Sequence, residues 1–501
     1  MKKKVRRDKK SKKNTLKKII IISIISIAFL ASLTYIALKE FNSSEPVIPT
    51  SKPIIGEVYS LNATANFLDY LYTNENIVMS PINANSALAI LYNGTDNNSY
   101  KELKKYFHKT PELVNNRLSP IIKSLNEEQE LKLNSNYAKQ MSVIYNNGYN
   151  NLKTKDIDKL TQSEKEVLII TLIKADNYFN QKKIKLSNKY IEKYKLSDKE
   201  KMYSSYVIKE LLDKVLIEYE KHTLLNSVNN YQEIFYDKKL KIENEYLKNI
   251  KELYNTNLTP VDLSNPETKN LINNKLLEKN SNYTRILTRE ELQDLVMINT
   301  LSFDYKWQNA FSSENVKDEE FNGFNDQHYM VDMMYSQENI YLENEKAIGF
   351  IKNFDKEKYS FVGILPKEKG SYQNSELNLE TLLSSRKKML VNIGLPKFKI
   401  ESTIDLSKLY SNYKINEIFT DKANLHGITN TNLKVATMLQ KEYLSIGEYG
   451  TTESTTKSET LKTNTTDDNT KSVILNRPFT FLIINNSNNE VLLAGKVINI
   501  E

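Results

Sequence analysis

The feature that most restricts the fold is the run of β-rich segments from residue 291 onward. LVMINTLSF, YSFVGILP, MLVNIGLPKFKI, TFLIINN and VLLAGKVINI are rich in β-branched and aromatic residues and bounded by Pro, Gly or Asn. That is the composition of strands that pack inside a sheet core. From 57 to about 290 the pattern is mainly helical, with two switches from helix to strand. Gly and Pro are sparse there, and segments such as 101–107 and 201–221 carry apolar residues at helical spacing. Helices first and strands later, without regular βαβ alternation, predicts the α+β class. A partial echo links 175–195 to 229–249: each has an aromatic pair, a Lys-Lys turn and a Tyr-containing helix. A partial duplication and chance in a chain rich in Lys, Asn and Tyr explain it equally well.

Several chemistries are excluded at once. The chain has no cysteine, hence no disulfide scaffold, thiol nucleophile or thiolate metal site. Its four histidines, 108, 222, 328 and 426, never fall at the spacing that puts two ligands on one helix face. No metal centre is expected. No Walker loop, GxGxxG, GxSxG or HExxH occurs, so neither an enzymatic activity nor a cofactor is expected.

The formal charge of +8 over 501 residues is misleading as a whole. Residues 1–18 hold eleven Lys or Arg and one Asp, a local charge of +10, which leaves −2 for the other 483 residues. The bulk of the chain therefore has no nucleic-acid footprint. The basic tail precedes IIIISIISIAFLASLTYIAL, residues 19–38, which carries no charge. Twenty helical residues rise about 30 Å, the thickness of a bilayer core. The positive-inside rule places 1–18 in the cytoplasm and everything beyond 39 outside. The expected organisation is a cytoplasmic tail (1–18), a transmembrane signal anchor (19–38), a Ser- and Pro-containing stalk (39–55) and an extracellular domain (56–501) on a single-pass membrane protein. A cleaved signal peptide is the competing reading. The length of the apolar run and the lack of a clear A-x-A site argue against it.

The rest of the chain carries a family resemblance. Asn76-Ile77-Val78-Met79-Ser80-Pro81-Ile82-Asn83, with Ala87-Leu88-Ala89-Ile90-Leu91 and Gly94 after it, resembles the helix-B signature of the serpins. Asn299-Thr300-Leu301-Ser302-Phe303, then Lys306-Trp307 and Phe311, is similar to the family's central-sheet segment with its buried tryptophan. Leu395-Pro396-Lys397-Phe398-Lys399-Ile400-Glu401, Glu448-Tyr449-Gly450-Thr451, Asn476-Arg477-Pro478-Phe479 and Leu492-Leu493-Ala494-Gly495-Lys496-Val497 match in the same order. The resemblance implies a large central mixed β-sheet, further sheets, about nine helices and an exposed reactive-centre loop. It also implies a shutter and breach region at Ser80, Asn83, Asn299, Trp307 and Gln440. The family's shutter histidine falls at Gln440, so its hydrogen bonding passes to an amide. The stretch between about 118 and 225 is longer than the family's, which implies a helical insertion centred on 140–222.

By the same resemblance, residues 447–475 are the reactive-centre loop, with its hinge at Glu448, Gly450 and Thr451 onward. In an inhibitory serpin a protease cleaves this loop, and the freed N-terminal part enters the central sheet as a strand. Alternate side chains then face the interior, where an unpaired charge costs several kcal/mol. One alternating set is Thr451, Glu453, Thr455, Lys457 and Glu459; the other is Thr452, Ser454, Thr456, Ser458 and Thr460. Counting straight from Gly450 puts the charged set inside. Matching Thr452-Glu453 to the family's Thr-Glu hinge adds one residue and puts the small set inside. Counting from the hinge gives a scissile bond near Asn464 or Thr465, counting back from Asn476 gives one near Asp467, and Lys462 would serve a trypsin-like enzyme. The expectation is a membrane-tethered extracellular inhibitor of a serine (or cysteine) endopeptidase, subtilisin-like or elastase-like. A non-inhibitory surface serpin that binds a protein partner is the alternative. The Lys/Asn/Tyr-rich composition with an anchor fits a low-GC Gram-positive bacterial source.

Overall fold

The computed structural model describes residues 58–71, 75–133, 161, 226–279, 283, 287, 294–369, 373–451 and 470–500. The expected tail, anchor and stalk, and all but Thr161 of the expected insertion at 140–222, lie outside them. No helix among the described residues is long and apolar enough to cross a membrane.

Eight α-helices are described, against about nine expected for the whole domain. They are α1 (Leu61–Tyr70), α2 (Pro81–Tyr92), α3 (Asn97–Phe107), α4 (Pro111–Leu133), α5 (Asn244–Tyr254), α6 (Glu267–Lys279), α7 (Leu379–Ser384) and α8 (Leu406–Ser411). α2 is buried along its whole length. Its start is fixed locally: Ser80 caps it by accepting from Asn83 N, and Pro81 occupies the first turn, where a missing N–H costs nothing. A helix buried on every face belongs in the centre of a domain.

Among the described residues fourteen strands form two sheets. One has five strands in the order β10 (Phe398–Asp405), β11 (Val435–Ile446), β4 (Leu295–Asp304), β2 (Ser227–Asp237) and β3 (Asn257–Val261). It is mixed: β10–β11 and β2–β4 are antiparallel, whereas β11–β4 and β2–β3 are parallel. The other runs β1 (Ile77–Met79), β14 (Val491–Val497), β13 (Phe479–Asn485), β8 (Tyr359–Pro366), β7 (Ala347–Asn353), β6 (His328–Glu343), β9 (Lys387–Pro396) and β12 (Lys471–Ile474), with β5 (Val316–Asn322) also pairing with β6. The five apolar segments read from the sequence correspond to β4, β8, β9 with β10, β13 and β14. The strand of the second echo copy is β2, followed by α5; the first copy lies outside the described residues.

β4 is buried on both faces, which explains its unbroken apolar reading. Its odd-numbered residues Met297, Leu301 and Phe303 join the main core. Val296 and Ile298 pack on the other side in a smaller cluster with Ile272 and Leu276 of α6. α6 thus covers the outer face of the five-stranded sheet.

In the larger sheet Phe481 stacks on Phe361 (ring centroids 5.7 Å apart, 11° between planes) and leans on Phe398. It sits opposite Gly495, where a Cβ would lie 2.3 Å from its ring. Phe481→Ala is expected to cost about 3–5 kcal/mol through the cavity it leaves. A thermal midpoint within a degree of the unsubstituted protein's would show that this aromatic seam is not core.

Candidate functional site

The parallel pairing of β4 and β11 is incomplete. Their shared register runs from Val435 opposite Leu295 to Gln440 opposite Asn299 and stops. β4 continues to Asp304 with its outer edge paired to β2 throughout. β11 continues to Ile446 with its outer edge paired to β10. The upper inner edges of the two strands therefore face each other across a gap with no ladder between them. Buried backbone groups cannot be left unsatisfied there without cost.

Side chains close the gap. Leu301 N donates to Glu442 Oε2 at 2.9 Å. Thr451 Oγ1 donates to the Phe303 carbonyl at 2.7 Å and accepts from Tyr305 N at 2.8 Å. Thr451 N donates to the Tyr305 carbonyl at 2.9 Å. Glu442 and Thr451 thus occupy hydrogen-bonding positions along β4 that a further strand would take.

At the last paired rung the predicted shutter residues converge. Gln440, fully buried, accepts from Ser80 N at 3.0 Å and donates through Nε2 to the Ser80 carbonyl and to Asn299 Oδ1, both at 2.9 Å. Asn299 Nδ2 donates to the Leu439 carbonyl at 3.2 Å, and Asn83 Nδ2 to the Thr300 carbonyl at 3.1 Å. Gln232 of β2 extends the network, donating to Asn83 Oδ1 and Ser86 Oγ. A primary amide can donate and accept at once, which is what this position between α2 and the sheet requires.

Trp307 stands apart from that cluster, at the top of the gap. Its indole stacks on Phe354 (4.4 Å between ring centroids) and Nε1 donates to the Gly447 carbonyl at 2.9 Å. Trp307 N and Phe311 N donate to the carbonyls of Tyr449 and Glu448. Gly447 and Gly450 bond to each other across a tight turn. Gly450 has φ +137°, and a Cβ there would meet the Tyr305 carbonyl oxygen at 2.0 Å, so only glycine fits. Glu448 accepts from Lys397 Nζ at 2.9 Å, and the same ammonium meets Asp332 at 2.8 Å. Partial burial works against the Lys397 ammonium, but the two carboxylates outweigh it and raise its pKa.

The turn sends Thr451 inward: its side chain is buried. It is the first member of the Thr451–Glu453–Thr455 set. The remaining hinge residues Thr452, Glu453, Ser454, Thr456 and Ser458 and the scissile candidates Lys462, Asn464, Thr465 and Asp467 lie outside the described residues. Sequence reading assigned no role to Lys397 or Glu442. Lys397 lay inside a quoted match; Glu442 is signalled only as an acid interrupting the inward series Gln440, Leu444, Ile446. Among the described residues no three His, Asp or Glu converge as a metal would require.

Two substitutions test this reading. Gln440→Leu keeps the volume but strips partners from Ser80 and Asn299, and is expected to destabilise the protein by about 3 kcal/mol. Thr451→Val should cost about 1–3 kcal/mol and speed amide exchange at Tyr305. Unchanged unfolding and exchange in both variants would remove the site's claim to hold the sheet.

Comparison with known proteins fits this geometry. The family model described as Serpin (serine protease inhibitor) matches residues 64–205 and 182–500. Alpha-1-antiproteinase S of Cavia porcellus is 28% identical over 277 residues, covering 53% of this chain and 67% of its own. Serpin B4 of Homo sapiens is 27% identical over 300 residues, covering 56% and 77%. Among solved structures, the thermophilic serpin tengpin in its native state superposes with a TM-score of 0.61 at 24% identity, over 90% of this chain and 97% of its own. With the family's model spanning both sheets, including the half-open β4–β11 pair inside the five-stranded one, the chain belongs to the serpin family of serine protease inhibitors.

Proposed function

We propose that this serpin inhibits a serine (or cysteine) endopeptidase by the suicide-substrate route, held at the outer face of a bacterial membrane by residues 19–38. The observation that carries the reading is the half-zipped β4–β11 pair with Thr451 already bonded along β4 at its mouth. The protease's nucleophile attacks the scissile carbonyl in the loop, releasing the C-terminal part as an amine and leaving the N-terminal part as an acyl-enzyme. That freed part then enters between β4 and β11, gains the hydrogen bonds a strand makes on both edges, and carries the protease with it. The absence of Arg from the loop supports a subtilisin-like or elastase-like target over most trypsin-like ones.

The inward Thr451 defines what insertion demands. Continued without offset, the same parity brings Glu453, Lys457 and Glu459 inside. A one-residue bulge after Thr451 restores the small set, Thr452, Ser454, Thr456 and Ser458. We take the bulged register, because its inward face is uncharged.

Arginine placed at successive loop positions tests it. Ser454→Arg and Thr456→Arg should turn inhibitor into substrate, while Thr455→Arg should leave inhibition nearly intact. The opposite pattern would establish the straight register. For insertion itself, the full chain in detergent is nicked within 461–468 and its thermal midpoint compared with the intact form. A rise above about 10 °C is expected, since each kcal/mol moves the midpoint by about 2–4 °C. No rise would mean no insertion, and the protein would be a non-inhibitory binding module.

A further inference from the structure

Glu442 is an unusual group to find in the gap. It is fully buried on the inner face of the sheet, between Gln440 and Leu444 of the same strand. Its Oε2 takes the Leu301 N–H, and its Oε1 has no hydrogen-bond partner among the described residues. Leu301 pairs with Asn230 of β2 on one side, so the amide aimed at Glu442 is the one an incoming strand would claim. The β4–β11 ladder has ended by that level, and a long side chain from β11 takes the amide in place of a strand carbonyl.

We propose that Glu442 is a latch on the insertion gap: a positioning residue whose carboxyl substitutes for the absent strand at Leu301 and must be displaced before a strand can enter. The latch is a property of the closed sheet, while its effect on insertion rests on the inhibitory reading above. Displacement is costly for a carboxylate. Once a strand carbonyl takes the Leu301 N–H, the acid loses that hydrogen bond and is left against the apolar interior.

The sign of the pH dependence follows from the groups around it. β10 presents Ser402, whose hydroxyl accepts from Val78 N of β1, β4 presents Leu301, and β11 itself Gln440 and Leu444; none titrates near neutrality. Lys441 alternates to the other face, where Glu401 holds it at 2.7 Å. Burial pushes the Glu442 carboxyl well above the usual carboxylate range, and the Leu301 N–H pulls partly the other way. Insertion removes that opposing pull, so the inserted state binds the proton more tightly than the closed one. Linkage then makes insertion more favourable as pH falls.

The test uses the full chain in detergent, with Glu442→Ala and Glu442→Gln. Amide exchange at 300–304 is read in the intact proteins, and the midpoint gain on loop nicking is read from pH 8 to 5.5. Glu442→Ala should speed exchange at Leu301 about tenfold or more, while Glu442→Gln, which can still accept, stays within about threefold of the unsubstituted protein. The gain on nicking should exceed the unsubstituted protein's by about 5 °C in Glu442→Ala. It should grow toward low pH in the unsubstituted protein and not in Glu442→Gln. Unchanged exchange at Leu301 in Glu442→Ala overturns the latch, as does an identical pH dependence in the unsubstituted protein and Glu442→Gln when both gain stability on nicking. Should Glu442→Ala fail to fold, the comparison with Glu442→Gln decides. Faster exchange at Leu301 with no gain on nicking in any protein overturns the inhibitory reading instead and leaves the latch standing.

Discussion

Everything distinctive in this structure depends on one incomplete ladder. Two parallel strands, β4 and β11, share hydrogen bonds only as far as Gln440 and Asn299, while each is held on its outer edge to the top. A sheet opened in its middle exposes the same liability as an edge strand, with backbone donors and acceptors awaiting a partner. An edge strand can turn to water, but this edge lies inside the domain. Its groups must be satisfied by the protein or left at a cost.

The protein satisfies them piecemeal. Gln440 ties the last rung to α2 through Ser80, Glu442 caps Leu301, and Thr451 bridges Phe303 and Tyr305. Each is a side chain doing what a strand would do more completely and with less desolvation penalty. On the proposed inhibitory reading, that difference is what insertion of the loop would release. The closed state is adequately bonded and therefore persists, yet an inserted strand would bond both inner edges at once. The turn at 447–450, pinned by Trp307 and by Lys397, aims the chain at the top of the gap. Gly450 is required there because the chain passes so close to the Tyr305 carbonyl.

The legible part of the fold was the part built by local pattern. β8, β13 and β14 run through the core and read as continuous apolar runs, and α2 is announced by Ser80-Pro81 before an apolar stretch. β6 was missed, because HYMVDMMYSQENIYLE mixes polar and apolar residues on a strand whose burial is uneven. Ser80, Asn83, Asn299 and Gln440, which the family resemblance grouped, meet in one hydrogen-bond network. Trp307, expected in the same shutter and breach region, lies at the mouth of the gap. Neither the inward direction of Thr451 nor the role of Glu442 could be read beforehand. Parity in a strand is ambiguous by one residue until something fixes the register, and at Thr451 the fix is a hydrogen bond to Phe303 of β4, 148 residues away in sequence.

The sequence by itself determined the α+β class, the absence of thiol chemistry, the family and the candidate loop, because composition, apolar runs and collinear motifs are local properties of the chain. The tertiary structure alone decided where β4 and β11 part, that Thr451 is buried against β4, and what holds the gap shut. Those outcomes depend on which edges find partners across long separations. A carboxyl such as Glu442 reads as a solvated charge in sequence and acquires its meaning only when the sheet buries it beside Leu301.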